Sequence, residues 1–190
     1  LGGEEIDLAK AGIGLCIGTA NKCIQGLPGV SFVLVENREM QRMQDFPPRT
    51  LYFHLPMLYT YQQRQSTPFT PAIQVMYAFD EALQELLEEG VARRIARYRT
   101  AAHFLREGFE ASGLKCLLPT DLRSNTITSL ELPGGLTYAA LHDALKARGY
   151  VIYAGQGDLA SRVFRVANMG HHTIEEFQGF LAALTEVLAI

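Results

Sequence analysis

Tryptophan is absent from this 190-residue chain and cysteine is scarce. Cys16, Cys23 and Cys116 are odd in number and form no C-x-x-C pair. That argues against a disulfide scaffold and for a reduced, cytoplasmic setting. A basic excess is missing too: 17 Lys and Arg stand against 20 Asp and Glu, for a net charge of −3. Nothing therefore asks for nucleic acid. No apolar run is long enough to span a bilayer, and no basic-then-apolar leader opens the chain. Repeats and low-complexity tracts are lacking. No metal site is expected, because adjacent side chains such as His171-His172 rarely converge on one ion, and no Cys or carboxylate stands at ligand spacing. A complete dinucleotide fingerprint is absent as well, since Ile17 stands where Gly12-Ile13-Gly14 would need its third glycine. What remains is ordinary globular composition, 48% hydrophobic and 19% charged, enough for one core or two small ones.

The informative stretch is Gly18-Thr19-Ala20-Asn21-Lys22-Cys23-Ile24-Gln25-Gly26-Leu27-Pro28-Gly29. Ile13, Leu15 and Ile17 alternate before it, and Val30 to Val35 is a β-branched and aromatic run after it. Both flanks read as short buried strands, with the polar dozen at their ends, where open α/β sheets place ligands. Pro28-Gly29 suits a type II turn. Lys22 has two readings: a side chain that snorkels to solvent, or a Schiff-base lysine. An amine attacks a carbonyl only in its neutral form, which burial favours. Cys23 reads as a small packed side chain.

Along the chain, residues 4–12 predict a short helix ended by Gly12, and Glu36 to Met43 another, stopped before Pro47-Pro48. Leu51 to Tyr61 reads as an aromatic-rich loop, at a core, a dimer face or an active-site wall. Thr70 stands as N-cap with Pro71 at the first helical position, which makes it a cap or a phosphate ligand, with Thr67 an alternative register. Helical spacing runs from Ala72 to about Glu89 and again after Gly90. The second helix carries Arg93, Arg94, Arg97, Arg99 and Arg106, read as a solvated face. From Gly113 the order is strand, strand, helix, strand, strand, helix, a small α+β domain with helices on one face of an antiparallel sheet. Thr137 and Thr173 cap its helices, with Glu176 completing a capping box. Arg165, on the strand Val163 to Ala167, suits either a structural acid or a ligand carboxylate.

The segment from Thr19 to Gly29 resembles the lysine loop of class V, fold-type I pyridoxal 5'-phosphate (PLP) enzymes. Its Asn21-Lys22-Cys23-Ile24 core resembles the 2-aminoethylphosphonate–pyruvate aminotransferase branch. Gly149-Tyr150-Val151-Ile152-Tyr153-Ala154-Gly155-Gln156 resembles that family's Gly-Phe-Val-Ile-Tyr-Pro-Gly-Lys, with Ala154 and Gln156 replacing Pro and Lys. Phe164-Arg165-Val166-Ala167-Asn168-Met169-Gly170 resembles Phe-Arg-Ile-Gly-x-Ile-Gly. The resemblance covers essentially the whole chain but only the C-terminal half of a family member. It implies an α/β fold: residues 1–90 the C-terminal part of the large PLP-binding domain, 91–112 a linking helix, and 113–190 the small α+β domain.

The same resemblance implies PLP as cofactor, Lys22 as its covalent attachment, and Thr70, from the opposite subunit of a homodimer, on its phosphate. Thr19 lies near the cofactor, and Arg165 holds the substrate carboxylate. The implied reaction converts 2-aminoethylphosphonate and pyruvate to phosphonoacetaldehyde and alanine. Serine– or alanine–glyoxylate amino transfer is the rival, and a non-catalytic fragment or interaction domain the third reading. The chain starts without Met, and the family's pyridinium-pairing aspartate and phosphate loop have no counterpart in it. The isolated 190 residues are accordingly expected to be weak or inactive.

Overall fold

The computed structural model describes residues 1–189. They form two compact units, one of Leu1 and Glu5–Glu88, the other of Gly2–Glu4 and everything described from Glu89 onward.

In the first unit β1 (Leu15–Thr19) pairs antiparallel with β2 (Ser31–Val35), from Leu15 opposite Val35 to Thr19 opposite Ser31. The lysine loop is thus the turn of a long hairpin and does not lie at the ends of parallel strands. The strands are not buried either: Ile17 is 68% exposed and Leu34 46%. Apolar alternation predicts which residues share a strand face, but not whether anything covers that face. Helices α1 (Asn37–Met43), α2 (Leu55–Gln63) and α3 (Ile73–Glu89) follow. Helix α2 replaces the expected aromatic loop, with Pro56 in its first turn, where a missing N–H costs nothing. Residues 4–12 form no helix, only a turn in which Ala11 N donates to Asp7 O and Ile13 N to Leu8 O. The apolar cluster of this unit is small, with Ile24, Ala82 and Leu86 at its centre and Phe32 stacked on Phe79 (centroids 5.6 Å apart).

The long stretch of the second unit begins at Glu89, and Gly90, at φ 85°, breaks the helical run there. Helix α4 (Val91–Ala111) packs Ala101, Leu105 and Phe109 onto the core. A three-stranded antiparallel sheet has the order β3 (Ile127–Glu131), β5 (Val163–Ala167), β4 (Tyr153–Ala154). Helices α5 (Tyr138–Lys146) and α6 (Ile174–Leu188) complete it. Leu141 and Leu145 of α5, Phe180 and Leu184 of α6, and Leu130 and Phe164 of the sheet share one core. Gly108 brings α4 close to α6, since a Cβ there would overlap the Leu181 side chain. The capping box forms as its sequence predicts: Thr173 Oγ1 accepts from Glu176 N (3.3 Å) and Glu176 accepts from Thr173 N (2.8 Å). The expected strand at 114–118 is reduced to one bridge, Cys116 to Leu130.

The arginine helix is a solvated face only in part: Arg93 and Arg99 are exposed, but Arg94, Arg97 and Arg106 are not. Arg94 is 2% exposed, and Glu89 accepts from Arg94 Nε (2.6 Å) and from Arg97 Nε (2.8 Å) and Nη2 (3.1 Å). Helical charge periodicity reads the same whether the charges meet water or an acid that precedes the helix.

Candidate active site

The lysine loop is fixed at two points. Ala20 and Ile24 are buried, Ile24 against Ala82 and Leu86 of α3. Gly26 N donates to Ala20 O (2.9 Å), and Gln25 N donates to Lys22 O (2.9 Å). Gln25 takes φ 69°, a conformation non-glycine residues seldom adopt, and this closes the tight turn that begins at Lys22. Gly29 takes φ 126°, the positive φ expected of Pro28-Gly29. Between the anchors Lys22 points outward. It is exposed rather than packed on an apolar sheet, and its amine makes no hydrogen bond or ion pair among the described residues. Thr19, the last residue of β1, is exposed as well.

Thr70 lies in the same unit but is not the N-cap of α3. The helix starts at Ile73, and Met76 N donates to Ala72 O, so Ala72 holds the cap position. Pro71 precedes that position, because its fixed φ also suits an extended approach to a helix. Thr70 is exposed, and its hydroxyl is not spent on a capping bond.

Arg165 belongs to the second unit, at the middle of β5, opposite Ser129 on one side and Tyr153 on the other. Its strand neighbours Phe164 and Val166 are buried in the core, which turns the half-buried Arg165 to the other face. Nε donates to the Ala154 carbonyl (2.8 Å). Neither Nη has a hydrogen bond or an ion pair among the described residues, so no structural acid is satisfied there.

Beyond Arg165 the strand is tied down by residues whose pattern carries no motif. Asn168, 2% exposed, donates through Nδ2 to Tyr98 O (3.1 Å) and Asn125 O (2.9 Å), and through its N–H to Thr126 O (3.1 Å). Arg97 Nη1 donates to Gly170 O (2.7 Å). The two guanidinium groups on Glu89, Arg97 foremost, hold its carboxyl far below the usual range, at about 2. Lys22, Thr19 and Thr70 are thus presented by one unit and Arg165 by the other. A cavity of about 500 Å³ between Tyr150, Ile152, Phe177 and Phe180 is lined by none of the four.

An exposed, unpartnered amine fits a covalent link to the aldehyde of PLP, and an Arg fork with open Nη groups fits a carboxylate.

No family model matches the chain. It is 36% identical over 194 residues to a 2-aminoethylphosphonate–pyruvate transaminase of Syntrophobacter fumaroxidans, covering 98% of this chain and 51% of the relative. Among solved structures, an aspartate aminotransferase from Thermus thermophilus matches with TM-score 0.89 at 29% identity, covering 100% of this chain and 53% of that one. An alanine–glyoxylate aminotransferase from a Nostoc species matches with TM-score 0.91 at 27% identity, over 99% and 51%. The chain spans about half the length of the curated relatives it matches. In sequence and in fold it resembles the C-terminal half of the class V, fold-type I PLP-dependent aminotransferases, with relatives at the 2-aminoethylphosphonate–pyruvate branch.

Proposed function

We propose that the protein carrying this chain transfers the amino group of 2-aminoethylphosphonate to pyruvate, giving phosphonoacetaldehyde and alanine. The observation that carries this reading is Lys22, an unpartnered amine held outward from a loop anchored on both sides. PLP, when bound, supplies the aldehyde that takes up the amino group and the electron sink for the reacting carbon. Lys22 would be the covalent attachment, and its free amine would move the proton at the carbon that bears the amino group. Thr70 holds the cofactor phosphate from the opposite subunit of a homodimer, and Thr19 lies beside the cofactor. Arg165 binds the carboxylate of pyruvate and alanine through two parallel N–H groups.

The test is borohydride reduction of the purified protein with PLP, followed by peptide mass mapping. A single reduced adduct on Lys22, with alanine formed from 2-aminoethylphosphonate and pyruvate, is the expected result. An adduct elsewhere, or none, overturns the assignment. The structural likeness to an alanine–glyoxylate aminotransferase favours one rival, amino transfer to glyoxylate from alanine or serine. A higher kcat/KM with those substrates would select it.

A further inference from the structure

Arg165 has five N–H groups, and the fold uses one of them. We infer that the peptide group joining Ala154 to Gly155 is the positioning element of Arg165, leaving the Nη1–Nη2 end of the guanidinium as the edge that meets the 2-oxo acid carboxylate. The inference rests on the reading of Arg165 as the carboxylate ligand.

A peptide group is planar, so bonds at its two ends fix its orientation. The Ala154 carbonyl accepts from Arg165 Nε (2.8 Å). The Gly155 N–H donates to Val163 O (2.7 Å). Ladder pairing of Tyr153 with Arg165 and of Ala154 with Phe164 sets the register around it. Gly155 is buried, and a Cβ there would overlap the Leu159 carbonyl and lie 3.1 Å from Leu159 Cβ. That carbonyl cannot easily withdraw, because it accepts from Arg162 N (3.1 Å). The backbone from 154 to 165 is therefore closed by three bonds, and only a residue without Cβ fits at 155. With Nε occupied, the Nε–Nη2 side of the fork is spent. The Nη1–Nη2 end keeps two parallel donors at the spacing of a carboxylate. Gly155 acts through Arg165 and touches no substrate in this scheme.

Gly155→Ala in the full protein tests the idea, because anion binding at Arg165 and cofactor attachment at Lys22 make different demands. Pyruvate offers its carboxylate to the fork, whereas the Lys22 linkage uses no atom of Arg165. The expected result is a KM for pyruvate raised about 10- to 100-fold, the effect of misaligning one charge-assisted pair. The borohydride-trapped PLP on Lys22 should stay within about twofold of wild type, as expected for sites with no shared partner. An unchanged KM for pyruvate, or a matching loss of trapped PLP, overturns the inference. A wild-type protein that traps no PLP would defeat the functional reading instead. A second measurement needs no activity. In wild-type protein the Arg165 Nε–H, assigned by its loss in Arg165→Lys, should give a slowly exchanging NMR resonance. Exchange at the rate of free arginine would remove the positioning bond from Ala154 and the inference with it.

Discussion

Glu89 is a single carboxylate that accepts three hydrogen bonds from two guanidinium groups, and its titration is linked to folding. Its folded value of about 2 lies below the ordinary 4.5, so the unfolded chain binds the proton more readily. The stabilisation is complete above about pH 4.5 and is lost as the pH falls toward 2, amounting to about 1–3 kcal/mol with allowance for partial solvation. Urea unfolding at pH 7 and pH 3 should show this decline in wild type and a shallower one in Glu89→Gln. Equal slopes would mean that the carboxylate is not held. Asn168→Ala should cost about 2–3 kcal/mol at pH 7, because it strips donors from the Tyr98 and Asn125 carbonyls. Lys22→Ala should change stability by less than about 0.5 kcal/mol, because the side chain is exposed, while abolishing the reduced PLP adduct. A sequence advertises residues of the Lys22 and Arg165 kind, because their local motifs are contiguous. Arg97, Asn168 and Glu89 were not legible, because their meaning lies in partners 5 to 73 positions away.

Among the elements, α6 was legible to the residue at its start. Its signal is local, a Thr, a Glu three places on and an apolar stripe, and the physics of a cap needs nothing from elsewhere. Thr173→Ala should accordingly cost about 1 kcal/mol in thermal or urea unfolding, and a cost near zero would deny the box its role. Helix α2 was missed because four aromatic residues at 52–61 satisfy both loop and helix patterns, and propensity is a weak prior beside packing. The hairpin was missed because a strand's apolar pattern carries no direction. Antiparallel pairing across an 11-residue turn is set by contacts such as Ile24 on Ala82. The solvated reading of α4 holds for Arg93 and Arg99 and fails at Arg94 and Arg97, since a helical wheel cannot show that Glu89, before the helix, accepts from both.

The whole chain divides its apolar burial unequally. Among the described residues, fifteen buried ones form the core of the second unit, whereas three centre that of the first. Local opening should therefore be easier in the first unit. Hydrogen–deuterium exchange of the 190-residue chain should find the amides of β1 and β2 exchanging on the order of 100-fold faster than those of β3 and β5. Equal protection would mean that the two units open together. The resemblance carried by its motifs placed the chain in its structural class, and that class is confirmed by solved structures that match it over about half their length.

The closed backbone around Ala154 and Gly155 also bears on how this chain can vary. The atom that faces Arg165 is a main-chain oxygen, which every amino acid supplies. Position 154 is limited instead by the core, since it stands opposite buried Phe164: it should accept small residues in a saturation library selected on pyruvate, whereas position 155 should accept almost none. Selectivity for the acceptor would then be written in a residue defined by the absence of a side chain.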